Sequence, residues 1–218
     1  MKLTSTSLAG TLLMVALPFL SEAQQPVAPE TIALGTVAPK TDLKMETTTG
    51  KEVTLGALKQ QNGLLVVFSC NTCPFVIGDG EGTTGWEGRY ADVFKTAQIN
   101  GVGMVLVNSN EAKREKGDNL EDMKKRARDQ RFEQIPYALD KNSELANAFG
   151  ARTTPHVFLF DKDMKLVYRG AIDDNVDDPK AVKANYLAAA LEAVAKGKSI
   201  DPADTKPVGC SIKRVAVQ

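Results

Sequence analysis

Leu64-Leu65-Val66-Val67-Phe68 is a short continuous apolar run, and it predicts a strand buried on both faces. Val102 to Val107 predicts the next one. Between them Trp86, Tyr90, Val93, Phe94 and Ala97 recur at helical spacing and predict a core-facing helix stripe. Upstream, Leu43 to Thr54 alternates weakly about Thr48-Thr49-Gly50, as a hairpin would. Downstream, Ser143 to Phe149 reads as a short helix that Gly150 terminates. Thr153-Thr154-Pro155 precedes a strand, His156 to Phe160; Asp161 to Lys165 is a turn and Leu166 to Tyr168 begins the return strand. The final helix carries a stripe of Val182, Tyr186, Leu187, Ala190, Leu191 and Val194, with Asp178 as its cap, Pro179 at its first position and Gly197 at its end. A tail with Cys210 follows. Successive β–α–β units imply parallel pairing and the late hairpin adds an antiparallel part, so the expected fold class is an α/β sandwich with a mixed central sheet.

Two segments resist this pattern. Gly78 to Gly88 holds five glycines, which argues for a flexible loop instead of a helix. Glu111 to Glu133 carries eight basic and seven acidic residues, and the near-cancelling signs predict a solvated helical face around Asn119 to Arg131.

The first 23 residues read as an export signal: Lys2, an apolar stretch from Leu8 to Leu20, then Ser21-Glu22-Ala23 before the cut. The stretch is shorter than the roughly 20 residues of a spanning helix, so no stable membrane insertion is expected. Residues 24–38 form a Pro- and Ala-rich arm, and residues 39–214 a single domain. An exported protein, expected in a bacterial periplasm, meets oxidising conditions.

Lys+Arg and Asp+Glu each number 27 in 218 residues, and this balance argues against a nucleic-acid partner. A single histidine, His156, disfavours a His-built metal site and a Ser-His-Asp triad; as first residue of its strand it is a weak catalytic candidate. The three cysteines are too few for a disulfide scaffold and enough for redox chemistry.

Cys70-Asn71-Thr72-Cys73-Pro74 directly follows the first buried strand. Cysteines three apart at a strand–helix junction bring their Cα atoms to about 5–6 Å, within disulfide range. With Cys70 at the helix N-terminus its thiolate is stabilised, making it the attacking sulfur, and Cys73 in the first turn resolves the mixed disulfide. Half of a zinc site and an inert structural disulfide are the rival readings of such a pair; only Cys210 and His156 remain as further zinc ligands, and so small a loop gains little from a disulfide. Pro155, opening a strand long after the pair, is expected to be cis and to lie beside it. Cys210 is either an idle thiol or a second resolving one.

These elements together resemble the thioredoxin fold. Phe68 to Val76, Thr154 to Asp161, Tyr168 to Asp174 and Gly209 to Lys213 are more specifically similar to the peroxiredoxin-like redoxins, of the alkyl hydroperoxide reductase and thiol-specific antioxidant superfamily, over about Pro39 to Arg214. The resemblance implies a dithiol site at Cys70 and Cys73, with Thr154 and Pro155 flanking it and offering backbone to substrate, and Arg169 as an accessory that orients a peroxide or stabilises a thiolate. It implies no cofactor. Thr72 stands where the group often carries histidine, and the Gly-rich stretch interrupts what is usually a continuous helix.

The expected activity is thiol–disulfide exchange with a protein disulfide or dithiol substrate and a protein electron donor or acceptor. Peroxide reduction is the alternative, disfavoured by Val67 three residues before Cys70, where a hydroxyl is usual. A thiol chaperone for copper or haem maturation is the third, since two thiolates suit Cu(I).

Overall fold

The computed structural model describes residues 29–215. The expected export signal and the first residues of the arm lie outside the described residues. In chain order the elements are β1 (Met45–Thr47), β2 (Glu52–Val53), α1 (Leu55–Leu58), β3 (Gly63–Ser69), α2 (Pro74–Ile77), α3 (Tyr90–Ile99), β4 (Val102–Asn108), α4 (Leu120–Asp129), β5 (Tyr137–Leu139), α5 (Glu144–Phe149), β6 (Thr153–Thr154), β7 (His156–Phe160), β8 (Leu166–Gly170), α6 (Tyr186–Ala195) and β9 (Cys210–Ser211).

Seven strands form one sheet in the order β2-β1-β5-β4-β3-β7-β8, while β6 and β9 pair separately. β3, β4 and β5 run parallel, and β7 joins β3 antiparallel. This is the mixed α/β sandwich that the order of elements predicts. β3 and β4 are buried along their whole length, as continuous apolar runs demand. Alternate residues of β3 then serve opposite faces. Leu65 and Val67 meet Trp86, Tyr90, Leu187 and Leu191 on one side. Leu64, Val66 and Phe68 meet Leu55, Leu145 and Phe149 on the other. Phe149 sits at the centre of the second layer, edge-on to Phe68, Phe158 and Phe160 with ring centroids 5.2–5.5 Å apart. Gly150 ends α5 in the left-handed conformation, where a side chain would also strike the backbone of Glu30.

The structure redraws two predicted helices and one loop. Asp178 and Pro179 open a single 3-10 turn, and α6 starts only at Tyr186. At the break Val182 is extended, and Asp174 accepts the Lys183 N–H on its carboxylate and donates its own N–H to Ala184 O. Trp86 precedes α3 through another 3-10 turn. The Gly-rich stretch is an organised loop: the Asp79 carboxylate accepts from the N–H groups of Glu81, Gly82 and Thr83 at 2.9–3.0 Å. Gly78 ends α2 at positive φ, and the chain returns close enough for Trp86 N–H to reach Phe75 O at 3.1 Å.

The tail after α6 turns back over the open edge. Thr205 pairs with Arg169 of β8, and β9 lies against β6.

Candidate active site

Strand register alone assembles the site. β3 and β7 pair antiparallel with Phe68 opposite His156, so Cys70, two residues beyond β3's Phe68, comes to face Thr154, two residues before His156. β6 in turn places Thr154 opposite Cys210. Three thiols from two distant parts of the chain thereby converge on one residue. The Thr154–Pro155 peptide bond is cis.

The contacts are specific. Cys70 Sγ lies 3.1 Å from Thr154 Oγ1. Cys73 Sγ lies 3.1 Å from Thr154 O, to which it donates when it is a thiol, and the Cys210 N–H donates to Cys73 Sγ at 3.3 Å. Cys70 and Cys73 are both buried, at 1% and 2% exposure, whereas Cys210 is half-buried. All three are free thiols.

The expectation that Cys70 sits at the helix N-terminus requires correction. α2 starts at Pro74, so Cys73 is its N-cap and Cys70 lies in the loop that leaves β3. Proline favours the first helical position because it has no N–H to satisfy and its φ is already helical. The charge distribution follows the contacts. The hydrogen bond from the Cys70 thiol pulls Cys73 down to about 5 against the cost of burial, helped by the thiol and N–H of Cys210 and by Thr154. Cys70, which donates that bond, is pushed well above the usual thiol range, and burial and the Asp118 charge add to the effect. Burial raises Cys210 to about 11, assisted by its hydrogen bond to Cys73. The pair therefore holds its first negative charge on Cys73.

What holds the Cys70–Cys73 loop is a buried carboxylate that the charge-balanced reading of Glu111 to Glu133 passes over. Asp118 is fully buried. It accepts from Asn71 N–H and Thr72 Oγ1 at 2.7 Å each, and from the amides of Asn108 and Asn110 at 2.8 and 3.1 Å. Thr72, standing where histidine is common in similar sequences, thus serves as a tether. Arg114 closes the cluster by donating to Asn108 Oδ1, Asn108 O and Asp140 O. Asn71 also accepts from the buried Tyr137 hydroxyl at 3.0 Å. α4 carries the solvated face expected around Asn119 to Arg131, with Glu121, Lys125, Arg128 and Asp129 exposed.

Two other candidates sit apart from the sulfurs. Arg169 gives Nε and Nη2 to Asp204 at 3.0 and 2.7 Å, and Nη1 to the Thr31 and Ile32 carbonyls. It fastens arm and tail to β8, and none of its described hydrogen bonds reaches a cysteine. His156 is buried against Phe158 and accepts the Arg152 N–H on Nδ1 at 3.2 Å. Burial, then Arg169 and Arg152, lower it to about 3, so it is neutral and structural at ordinary pH. Above the unfolded value near 6.5 neither state binds the proton; below it the unfolded chain takes a proton that native His156 refuses until about pH 3. Stability falls with acid across that window, by up to roughly 1.4 kcal/mol per pH unit from this one group. Urea titrations of wild type and His156→Gln between pH 7 and pH 4 are expected to show that increment only in the wild type; parallel pH profiles would exclude it.

A mixed sheet with a Cys-x-x-Cys loop at the end of its central strand and a cis proline facing it defines a thioredoxin-like protein of the thiol-redox class. The Redoxin family matches residues 33–185, and the chain belongs to that family. Two solved structures are similar over almost their whole length. An uncharacterized conserved protein from Geobacillus kaustophilus is 31% identical, with a TM-score of 0.75 over 85% of this chain and 94% of that one. A hypothetical protein from Sinorhizobium meliloti 1021, SMc02350, is 32% identical, with a TM-score of 0.75 over 86% and 98%. Peroxidoxin BcpB from Mycobacterium tuberculosis shares the fold at 16% identity, with a TM-score of 0.54 over 75% and 96%. No curated protein matches the chain.

Proposed function

We propose that this protein is an exported thiol–disulfide oxidoreductase in which Cys70 and Cys73 exchange disulfides with protein substrates. The observation that carries the reading is that the buried Cys70 and Cys73 sulfurs both lie 3.1 Å from Thr154, at its hydroxyl and its carbonyl, with Cys73 lowered to about 5 and Cys70 raised. Disulfide exchange requires one ready thiolate and one thiol held in reserve. The Cys73 thiolate attacks one sulfur of a substrate disulfide and the other leaves as a thiolate. Cys70, relieved of the charge that raised it, then gives up its proton and attacks Cys73. The products are a Cys70–Cys73 disulfide and a reduced substrate, two electrons having passed to the latter. Thr154 presents backbone to the approaching chain in the manner of an added strand. An oxidising compartment, the destination expected from residues 1–23, supplies such disulfides.

One contact favours peroxide reduction as a second reading. Thr154 Oγ1 brings from β6 the hydroxyl that Val67 withholds from Cys70. Against it, Cys70 is held as a thiol and no arginine donates to any of the sulfurs among the described hydrogen bonds. A paired assay separates the two. The reduced protein is expected to accelerate insulin-disulfide reduction by dithiothreitol and to consume hydrogen peroxide no faster than a free thiol. Fast sulfenate formation without insulin reduction would reverse the assignment.

A further inference from the structure

The Thr154 edge, which the proposed function needs for substrate, is already occupied. β9 pairs with β6 antiparallel, Thr153 opposite Ser211 and Thr154 opposite Cys210. This is the arrangement an incoming protein strand would adopt, down to the placing of a cysteine beside the reactive sulfur: the Cys210 N–H donates to Cys73 Sγ at 3.3 Å. Gly209 makes the approach possible, since a β-carbon there would collide with the Thr154 carbonyl. Beyond Cys210 the tail is fastened by Ile212 N–H to Arg152 O and by Lys213 O to Ala112 N–H, both at 2.9 Å, and by Ile212 buried in the second core layer. Before it, residues 206–209 form none of the described hydrogen bonds to the body.

We propose, resting on the dithiol reading above, that β9 is a built-in substrate strand and Cys210 a second resolving thiol for Cys73. While substrate is joined to Cys73 it holds the Thr154 edge and β9 is displaced. As β9 returns, the Cys210 thiolate attacks the Cys73 sulfur, the Cys73–substrate S–S bond breaks, and the substrate leaves as a thiolate that takes up the proton released by Cys210. The same strand that expels the substrate sulfur also expels the substrate backbone. The product is a Cys73–Cys210 disulfide, and the substrate disulfide is the only oxidant the step consumes. Cys70 can then attack Cys73, forming Cys70–Cys73 and returning Cys210 as a thiol, with no net change in oxidation. The electrostatics support this order. Hydrogen bonding to Cys73 and the charge on Cys73 both raise Cys210; forming the mixed disulfide removes that charge, and the nearby Lys213 ammonium then favours the Cys210 thiolate.

Dithiobis(nitrobenzoic acid) reads the step directly, because each mixed disulfide formed or resolved releases one thionitrobenzoate. In reduced Cys70→Ser the expected yield is two equivalents, with a Cys73–Cys210 cross-link in the non-reducing peptide map. Cys70→Ser/Cys210→Ser is expected to stop at one. Adding Gly209→Val to Cys70→Ser keeps both thiols but keeps β9 off its edge, and is expected to slow the second release by about tenfold or more. A Cys70→Ser protein that stops at one equivalent, or that cross-links only between molecules, overturns the proposal, as does a Gly209→Val variant with undiminished second release. Cys210→Ser isolates the dithiol reading: if it forms Cys70–Cys73 and reduces insulin while Cys70→Ser fails, only the tail proposal falls. If Cys210→Ser itself forms no Cys70–Cys73 disulfide, the dithiol reading falls with it.

Discussion

Cys73→Ser is expected to lower insulin-disulfide reduction by at least about a hundredfold, because no other sulfur in the site is held as a thiolate. Without Cys73, burial and the Asp118 charge still raise the Cys70 thiol, and burial still raises that of Cys210. Removing Cys73 also removes the shared partner of both, leaving no pair to close a disulfide on Thr154. In Cys70→Ser/Cys210→Ser the nucleophile remains but both proposed resolving thiols are gone. That protein is expected to accumulate substrate as a mixed disulfide on Cys73, seen as a mass increase reversed by dithiothreitol. Full activity in Cys73→Ser, or adducts mapping to Cys70 in a Cys73→Ser/Cys210→Ser protein at a comparable rate, would return the attacking role to Cys70.

Asp118→Ala is expected to cost about 3–5 kcal/mol, since it strips one acceptor from several buried donors at once. The half-buried Asn71 N–H and Thr72 Oγ1 and the buried Asn110 amide lose this partner, and the buried Asn108 amide keeps only the Tyr137 hydroxyl at 3.3 Å. Asp118→Asn keeps one oxygen but sets an amide against two donors, and is expected to lose less. Urea unfolding of the reduced proteins measures both. The loop that carries Cys70 and Cys73 loosens in the same variant, so insulin reduction should drop along with stability. An Asp118→Ala protein within 1 kcal/mol (about the cost of one ordinary hydrogen bond) of wild type would show that Asp118 is not the anchor of the loop.

The buried strands were readable in the sequence because each is a local apolar run, and β3, β4 and β7 lie where those runs lie. Gly150 was readable for a similar reason, as the left-handed conformation is a local demand. The Cys-x-x-Cys loop was half readable. Its position at the end of β3 follows from order along the chain, but the helix start does not follow from the cysteines. Pro74 carried that signal, since a proline at the first helical position makes Cys73 the cap. Asp118 was hidden among fifteen charges, and its partner Asn71 is 47 residues away. Composition cannot tell a buried carboxylate from a solvated one when long-range packing decides. Arg169 was credited with a thiol because of the motif around it, yet Asp204 and the arm carbonyls take its donors. The return of the tail to Thr154 depends on a pairing across more than fifty residues, with Gly209 as its only local trace.

The most direct measurement of the dithiol is a redox titration. The protein is equilibrated across graded ratios of reduced to oxidised dithiothreitol, acid-quenched, alkylated and mapped by mass spectrometry. The account predicts one two-electron transition, with about 30 mV for each tenfold change in ratio, in which Cys70 and Cys73 lose alkylation together and appear as one intramolecular disulfide in Cys210→Ser as in wild type. Cys70 and Cys73 that stay alkylatable through the most oxidising buffers, or that oxidise independently of each other, would contradict it.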